Sequence, residues 1–341
     1  MVSTSIAIKR LLAMIYDKFG LIENRCKTLS RDHFVILMYH RIIPKEKVDW
    51  KVQSGMYVDP VTFDIHMQYL KDNYEILPLN EVLNLNHIIA KNNKMSVFLT
   101  FDDAWRDNYE YAFPLLEKYK IPATIFLPTG YIGTDRMFWT DQIALLLDKY
   151  LTMKNKDKYC NKYDEMHENI INVRRRLNNH YETCLSILKN KSEEDITKLI
   201  SELSSCCKVN CKTGRSNHLS IDELRIMQRS KVIYYGSHTV SHKILTNLNI
   251  VAIKYELEES KQWLLKNELV DAEFIPFSYP NGNYNSLIEK LVIDAGYHLA
   301  VSTDKKLNTI STDRFKLGRI NIHEDMTSNK SMYAMKIAGI N

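Results

Sequence analysis

The chain has 341 residues, 45% hydrophobic and 26% charged, with a formal net charge of +5. That length and composition fit an ordinary globular protein able to bury a large core without disulfides or structural metals. The charge is mild and the basic residues are spread out, which argues against a nucleic-acid binder, and no apolar run approaches the roughly eighteen residues of a membrane span.

Residues 1–30 read as an arm ahead of a domain at 31–341. Ile8, Leu12, Ile15 and Phe19 share one helical face. Two readings stand: a helix docked on its own domain, or a helix lying on a membrane surface through residues 1–25. Lys9 and Arg10 are followed only by the short run LLAMIY and by no small-residue cleavage site. A cytoplasmic protein is therefore expected, at the inner face of the membrane if the helix binds lipid.

From there, β-like runs alternate with amphipathic segments. FVILMY (34–39) is followed by Asp59-Pro60, a cap and a first-turn proline, with Phe63, Met67 and Leu70 at helical spacing. SVFLTF (96–101) and ATIFL (123–127) come next. Residues 141–218 hold no good strand and include Arg174-Arg175-Arg176, so they read as a helical insertion. The arginines read as a solvated helix face or as a contact for phosphate or an anionic partner. Five of the six cysteines fall in Cys160–Cys211 without a CxxC pair, which suggests reduced thiols. Ser220 and Glu223 make a capping box. VIYY (232–235), FIPF (274–277), a helical stretch at 284–296 ending at Gly296, HLAVS (298–302) and RINI (319–322) complete the pattern. Alternation with nearly continuous apolar strands implies an α/β fold: a parallel sheet covered by helices, open or closed into a barrel.

Reactive residues stand where these runs end, the side on which such folds place their sites. His40 follows the first run and Asp102-Asp103 the second. His238 and His242 follow VIYYGS, Ser278-Tyr279-Pro280-Asn281-Gly282 follows FIPF, and His323 follows RINI. The i, i+4 histidines can bring two imidazoles to one ion, and Asp103 can add a carboxylate. Three protein ligands leave a position open for water, the pattern of catalytic rather than structural metal. Asp102 beside them is placed to take a proton, or else caps the helix that starts near Trp105. An imidazole suits protonation of a leaving amine, and His40 is the candidate, with His323 as rival. His323 is followed by Glu324-Asp325, which look solvated.

The string TFDD (100–103) followed by SHTVSH (237–242) resembles the first two motifs of the polysaccharide deacetylases, carbohydrate esterase family 4. The resemblance implies Asp102 as catalytic base. It implies Asp103, His238 and His242 as ligands of one divalent metal, zinc, with cobalt, nickel or manganese as alternatives. FSYPNG (277–282) is similar to the third motif, which lines the substrate groove. Tyr279, Pro280, Asn281 and Gly282, with Trp105, are thus substrate-binding candidates, the Asn281 N–H facing the oxyanion. ILMYHRI (36–42) resembles the poly-N-acetylglucosamine deacetylase subgroup, whose catalytic acid on the N-terminal strand maps to His40. The family fold is a distorted (β/α) barrel of about seven strands. Ser278 stands where many relatives have the arginine that orients the base. Arg319, at the end of the last strand, is the substitute expected from another direction. The implied activity is metal-dependent N-deacetylation of an N-acetylated sugar, as a surface polysaccharide or its lipid- or nucleotide-linked precursor. A glycan-binding protein with a degenerate site is the alternative. An Fe(II) oxygenase also uses two histidines and a carboxylate, but on an antiparallel barrel that the alternation here does not match.

Overall fold

The computed structural model describes residues 4–48, 52–53, 55–85, 94–152, 185–189, 191–209 and 217–340. The arginine triplet and Cys160, Cys184 and Cys211 lie outside them; Cys26, Cys206 and Cys207 form no disulfide. Two compact units emerge. One comprises 1–45, 55–133 and 218–341; the other comprises 46–54 and 134–217.

The larger unit is built on a curled, mostly parallel sheet. Its strands are β1 (His33–Tyr39), β4 (Glu75–Ile76), β5 (Ser96–Phe101), β6 (Ala123–Leu127), β7 (Ile233–Ser237), β8 (Pro276–Ser278), β9 (Leu299–Val301), β10 (Asn308–Thr309) and β11 (Ile320–Asn321). A separate two-stranded ribbon pairs β2 (Arg41–Ile42) with β3 (Tyr57–Val58). The path β1-β5-β6-β7-β8-β9 is parallel throughout. β4 pairs in parallel with the start of β5, and β10 runs antiparallel to the start of β1. Residues 317–322 close the curl. Leu317 exchanges backbone bonds with Ala300 and Ser302, while Ile320 pairs with Leu37 and the Ile322 N–H reaches the Met38 carbonyl. Seven strands thus form the distorted barrel that the motifs imply.

β5 and β6 are buried at every position, which is why they read as unbroken apolar runs. Phe101 and Leu99 belong to the main core with Leu37, Tyr39, Ile125 and Phe277. Each such side chain contributes about 1.5–3 kcal/mol, so truncating Phe101 to Ala would cost about 3–5 kcal/mol. Gly236 is needed within β7, because a Cβ there would stand 2.7 Å from the Phe126 ring and 2.8 Å from the Pro276 carbonyl oxygen.

The helices follow their local signals. α1 (Thr4–Lys18) and α2 (Leu21–Leu29) precede the sheet. α3 (Pro60–Asn73) starts where the Asp59 side chain accepts the Val61 N–H, and buries Phe63, Met67 and Leu70. α4 (Phe113–Tyr119) follows β5. In the smaller unit, α5 (Trp139–Thr152) and α6 (Glu193–Cys207) share a core of Ile143, Leu146, Leu147, Leu199, Leu203 and Cys207. α7 (Ile221–Arg229) carries the complete Ser220–Glu223 capping box. α8 (Ile250–Lys266), α9 (Ser286–Asp294), α10 (Glu324–Thr327) and α11 (Lys330–Ile337) follow. α1 packs on α11, but not through the stripe picked out by periodicity. Ala13, Ile6 and Tyr16 face Met332, Met335 and Ala338; Ile8, Leu12, Ile15 and Phe19 are exposed. Among the described residues no helix is long and apolar enough to cross a membrane.

Candidate active site

Because the strands are parallel, the residues after them gather on one rim. Asp102 and Asp103 follow β5, His238 follows β7 and His40 follows β1, while Ser278 ends β8. The other key residue reaches this rim differently. Arg319 lies at the start of β11, not its end, and is 0% exposed.

All five guanidinium N–H groups of Arg319 find acceptors. Nη1 donates to Asp102 Oδ1 at 2.7 Å and to Thr100 Oγ1 at 3.2 Å. Nη2 donates to Asp102 Oδ2 at 2.7 Å and to Ser278 Oγ at 3.1 Å. Nε donates to the Ser302 carbonyl at 2.9 Å. This is the bidentate fork that gives an arginine–carboxylate pair both strength and direction. Asp102 is 3% exposed. Burial pushes its carboxyl up, but the charges of Arg319 and His238 and the Arg319 hydrogen bonds outweigh that and hold it well below the usual carboxylate range. Ser278, in the position of the usual arginine, joins the network that this arginine makes.

Three ligand-type atoms converge beside this pair. Asp103, His238 and His242 present atoms all within 4.8 Å of one another. Asp103 Oδ1 lies 3.2 Å from His242 Nε2 and 3.7 Å from His238 Nε2. Tetrahedral ligands at about 2.1 Å from zinc would be ~3.4 Å apart, so the spacing fits a small divalent cation. Asp103 Oδ1 is buried with no hydrogen-bond partner, an anionic oxygen that a cation would satisfy. His238 Nδ1 bonds the Ser278 carbonyl at 2.8 Å, which leaves the Nε2 lone pair turned to Asp103. Burial lowers the His238 pKa to about 4, against the pull of Asp102 upward, so the ring is neutral near pH 7 as a ligand must be.

Further residues hold the ligands in place. Trp105 Nε1 donates to Asp103 Oδ2 at 3.3 Å. The Arg41 guanidinium lies 4.6 Å above the Trp105 ring, and Arg41 Nε donates to Asp107 Oδ2 at 2.8 Å. Asp107 also accepts the Ile42 N–H, and Asn108 donates to the His40 carbonyl, so both grip the segment carrying His40. The buried Glu256 accepts the N–H groups of Val240 and Ser241 at 2.8 and 2.9 Å and shapes the loop between the two histidines. Arg41 falls within the string ILMYHRI, but nothing local assigned it a role, and Asp107 and Glu256 carry no motif signal of their own. Asp103, Ala104, Thr239, His242 and Asn281 all adopt positive φ, a concentration of backbone strain at this rim.

Several expectations need correction. Trp105 is 5% exposed and its indole N–H is spent on Asp103, which leaves little of the ring for a groove wall. The Tyr279 side chain is fully buried, stacked on Tyr284 and donating to the Phe315 carbonyl, and Pro280 is buried too. Only Asn281, exposed, and Gly282 keep surface for substrate. Gly282 has φ +77°, and a Cβ there would collide with Thr303. Burial pushes the Asp103 carboxyl up, against the pull of the nearby His40, which also acts on Asp102; the His40 Nδ1 is buried without a hydrogen-bond partner. His323 instead packs beside Gly55 and has Asp325 3.9 Å away. Asp325 is exposed as expected, while Glu324 is half-buried and accepts the Asp59 N–H at 2.9 Å and the Thr62 hydroxyl at 3.0 Å.

A parallel (β/α) barrel whose strand ends carry a gripped carboxylate beside a carboxylate–imidazole–imidazole cluster defines a narrow class of proteins. The chain belongs to the polysaccharide deacetylase family, whose profile matches residues 90–300. It is similar to YxkH of Bacillus subtilis, 35% identical over 108 residues, which are 31% of this chain and 36% of that one. It is also similar to a poly-beta-1,6-N-acetyl-D-glucosamine N-deacetylase of Staphylococcus aureus, 32% identical over 137 residues, 40% of this chain and 47% of that one. The chain thus spans less than half the length of these relatives. Two solved structures share the fold: the Streptococcus pyogenes deacetylase PplD with acetate (TM-score 0.56, 21% identity) and IcaB from Ammonifex degensii (TM-score 0.54, 16% identity). Each match covers 89% of this chain and 97% of the other.

Proposed function

We propose that the chain is a metal-dependent N-deacetylase acting on an N-acetylated sugar, with a surface polysaccharide or its lipid- or nucleotide-linked precursor as substrate. The observation that carries this reading is the division of labour between neighbours: Asp102 is paired with Arg319, while Asp103 shares its oxygen with two imidazoles. Asp103, His238 and His242 would hold one divalent ion, zinc in the first instance. When bound, that ion supplies a Lewis acid for the acetamide carbonyl and brings the pKa of a water down from about 15.7 to about 7.

The protein's own groups do the rest. Asp102 accepts the proton of the attacking water, and Arg319 keeps it ionised and aimed. The water oxygen bonds to the acetyl carbon, and the Asn281 N–H stabilises the oxyanion. His40 delivers a proton to the departing nitrogen as the C–N bond breaks, leaving acetate and a free amine. The alternative of a degenerate glycan binder is motivated by the altered third motif, and the Arg319–Asp102 pair speaks against it. The test is acetate release from N-acetylglucosamine oligomers and lipid-linked N-acetylsugars, abolished by EDTA and by Asp102→Asn and restored by added zinc. No release from any of them, with metal bound, would refute the proposal.

A further inference from the structure

The outer face of α1 is more apolar than its docked face. Ala13, Ile6 and Tyr16 supply the contact with α11, and Asp17 accepts a hydrogen bond from Ser331 Oγ at 2.6 Å. On the opposite side Ile8, Leu11 and Phe19 are 55%, 60% and 69% exposed, with Leu12 and Ile15 between them. These residues recur at i, i+3, i+4, i+7 and i+11, a continuous stripe pointing away from the domain. A surface helix normally turns its polar side outward, and exposed stripes of this kind mark interaction sites.

The charge around this stripe is mainly positive. Lys9, Arg10 and Lys18 lie on α1, whose sole acid, Asp17, is taken by Ser331. Next to the helix lies a cavity of about 230 Å³ lined by Arg25, Lys305, Lys306 and Lys336, with Lys306 3.7 Å from Asp304. Lys9 and Lys305 both press on Lys336, so the helix and the cavity share one field; burial, then Lys305 and Lys9, push the Lys336 ammonium down. An anion in the cavity would relieve that crowding.

We propose that α1 and this basic cavity form a peripheral membrane-docking surface, the apolar stripe entering the headgroup boundary of an anionic bilayer and the cavity receiving a lipid phosphate. The combination is that of an interfacial amphipathic helix supported by a polybasic patch. A second copy is disfavoured as occupant, because two such faces would bring like charges together. The proposal does not rest on the deacetylase reading.

The test is flotation of the full chain with vesicles of phosphatidylcholine, with or without phosphatidylglycerol. Thermal unfolding and sedimentation velocity accompany each variant. The wild type should float with the anionic vesicles and much less with the neutral ones. Lys305→Ala with Lys306→Ala should weaken anionic-vesicle binding about twenty-five-fold, from about 1 kcal/mol per lysine. Leu11→Glu with Phe19→Glu should abolish it without changing the unfolding temperature. Equal binding by the wild type and both variants would overturn the proposal. So would protection by inorganic phosphate without vesicle binding, and so would a dimer that Leu11→Glu with Phe19→Glu dissolves.

Discussion

Replacing Arg319 with Met should destabilise the protein far more than a surface substitution would. The side chain is fully buried and makes five hydrogen bonds, two of them to a carboxylate that is itself 3% exposed. Removing one partner of such a pair leaves an uncompensated buried charge, which costs about 3–5 kcal/mol. Arg319→Lys keeps the charge but cannot span both oxygens, and should lose roughly half as much. Urea unfolding in EDTA measures this without a contribution from metal binding. Adding Asp102→Asn to Arg319→Met removes the orphaned charge, so the double variant should recover about 2–3 kcal/mol relative to the sum of the single losses. Activity adds a second readout. Without the guanidinium, burial dominates and the Asp102 pKa rises, so the acid limb of the rate profile should move to higher pH. In the wild type the depressed Asp102 pKa contributes stability above about pH 3.9, lost as pH falls through the lower folded value. A loss below about 1 kcal/mol for Arg319→Met, or strict additivity in the double variant, would refute the reasoning.

Trp105→Phe should weaken zinc binding about 10–100-fold, since it deletes the donor to Asp103 Oδ2; calorimetric titration would measure it, and unchanged affinity would count against the positioning role. Adding zinc to EDTA-treated protein should raise the melting temperature, and Asp103→Ala should erase that rise; persistence of the rise would mean that the ion binds elsewhere. His66 is fully buried, stacked 3.7 Å from Tyr333, and burial lowers its pKa to about 3. The unfolded chain therefore binds the extra proton, and stability falls as pH drops below about 6.5, by about 3 kcal/mol at pH 4. His66→Phe should be less stable at pH 7 but lose less on acidification, and parallel curves for the two proteins would disprove that origin.

The seven barrel strands were readable because a parallel strand covered on both faces has no polar alternation to break it, as SVFLTF illustrates. β2, β3, β4 and β10 have two residues each, too few for any period; β11 is as short, and only the apolar residues of RINI around it made it visible. His40, Asp102, Asp103 and His238 were legible by position, each standing where an apolar run stops. The contact between Arg319 and Asp102 spans 217 residues, and no local pattern encodes it. Trp105 and Tyr279 failed differently. An aromatic ring with a polar end suits a groove or a core equally well, and the Asp103 and Phe315 oxygens decide between them. On α1 periodicity found the apolar stripe, while the small Ala13 on the other side made the close approach to α11.

The segment that closes the barrel also delivers the counter-charge of Asp102. A partly folded chain with β1 to β9 in place but residues 317–322 detached would have two unpaired strand edges and a buried carboxylate with no cation. Both defects are cured in one step, when Ile320 docks beside Leu37 and Arg319 swings in under Asp102. Closure of so long a loop is slow, which places assembly of the site late in folding. On refolding, recovery of metal affinity should lag the appearance of helical signal and coincide with the final phase.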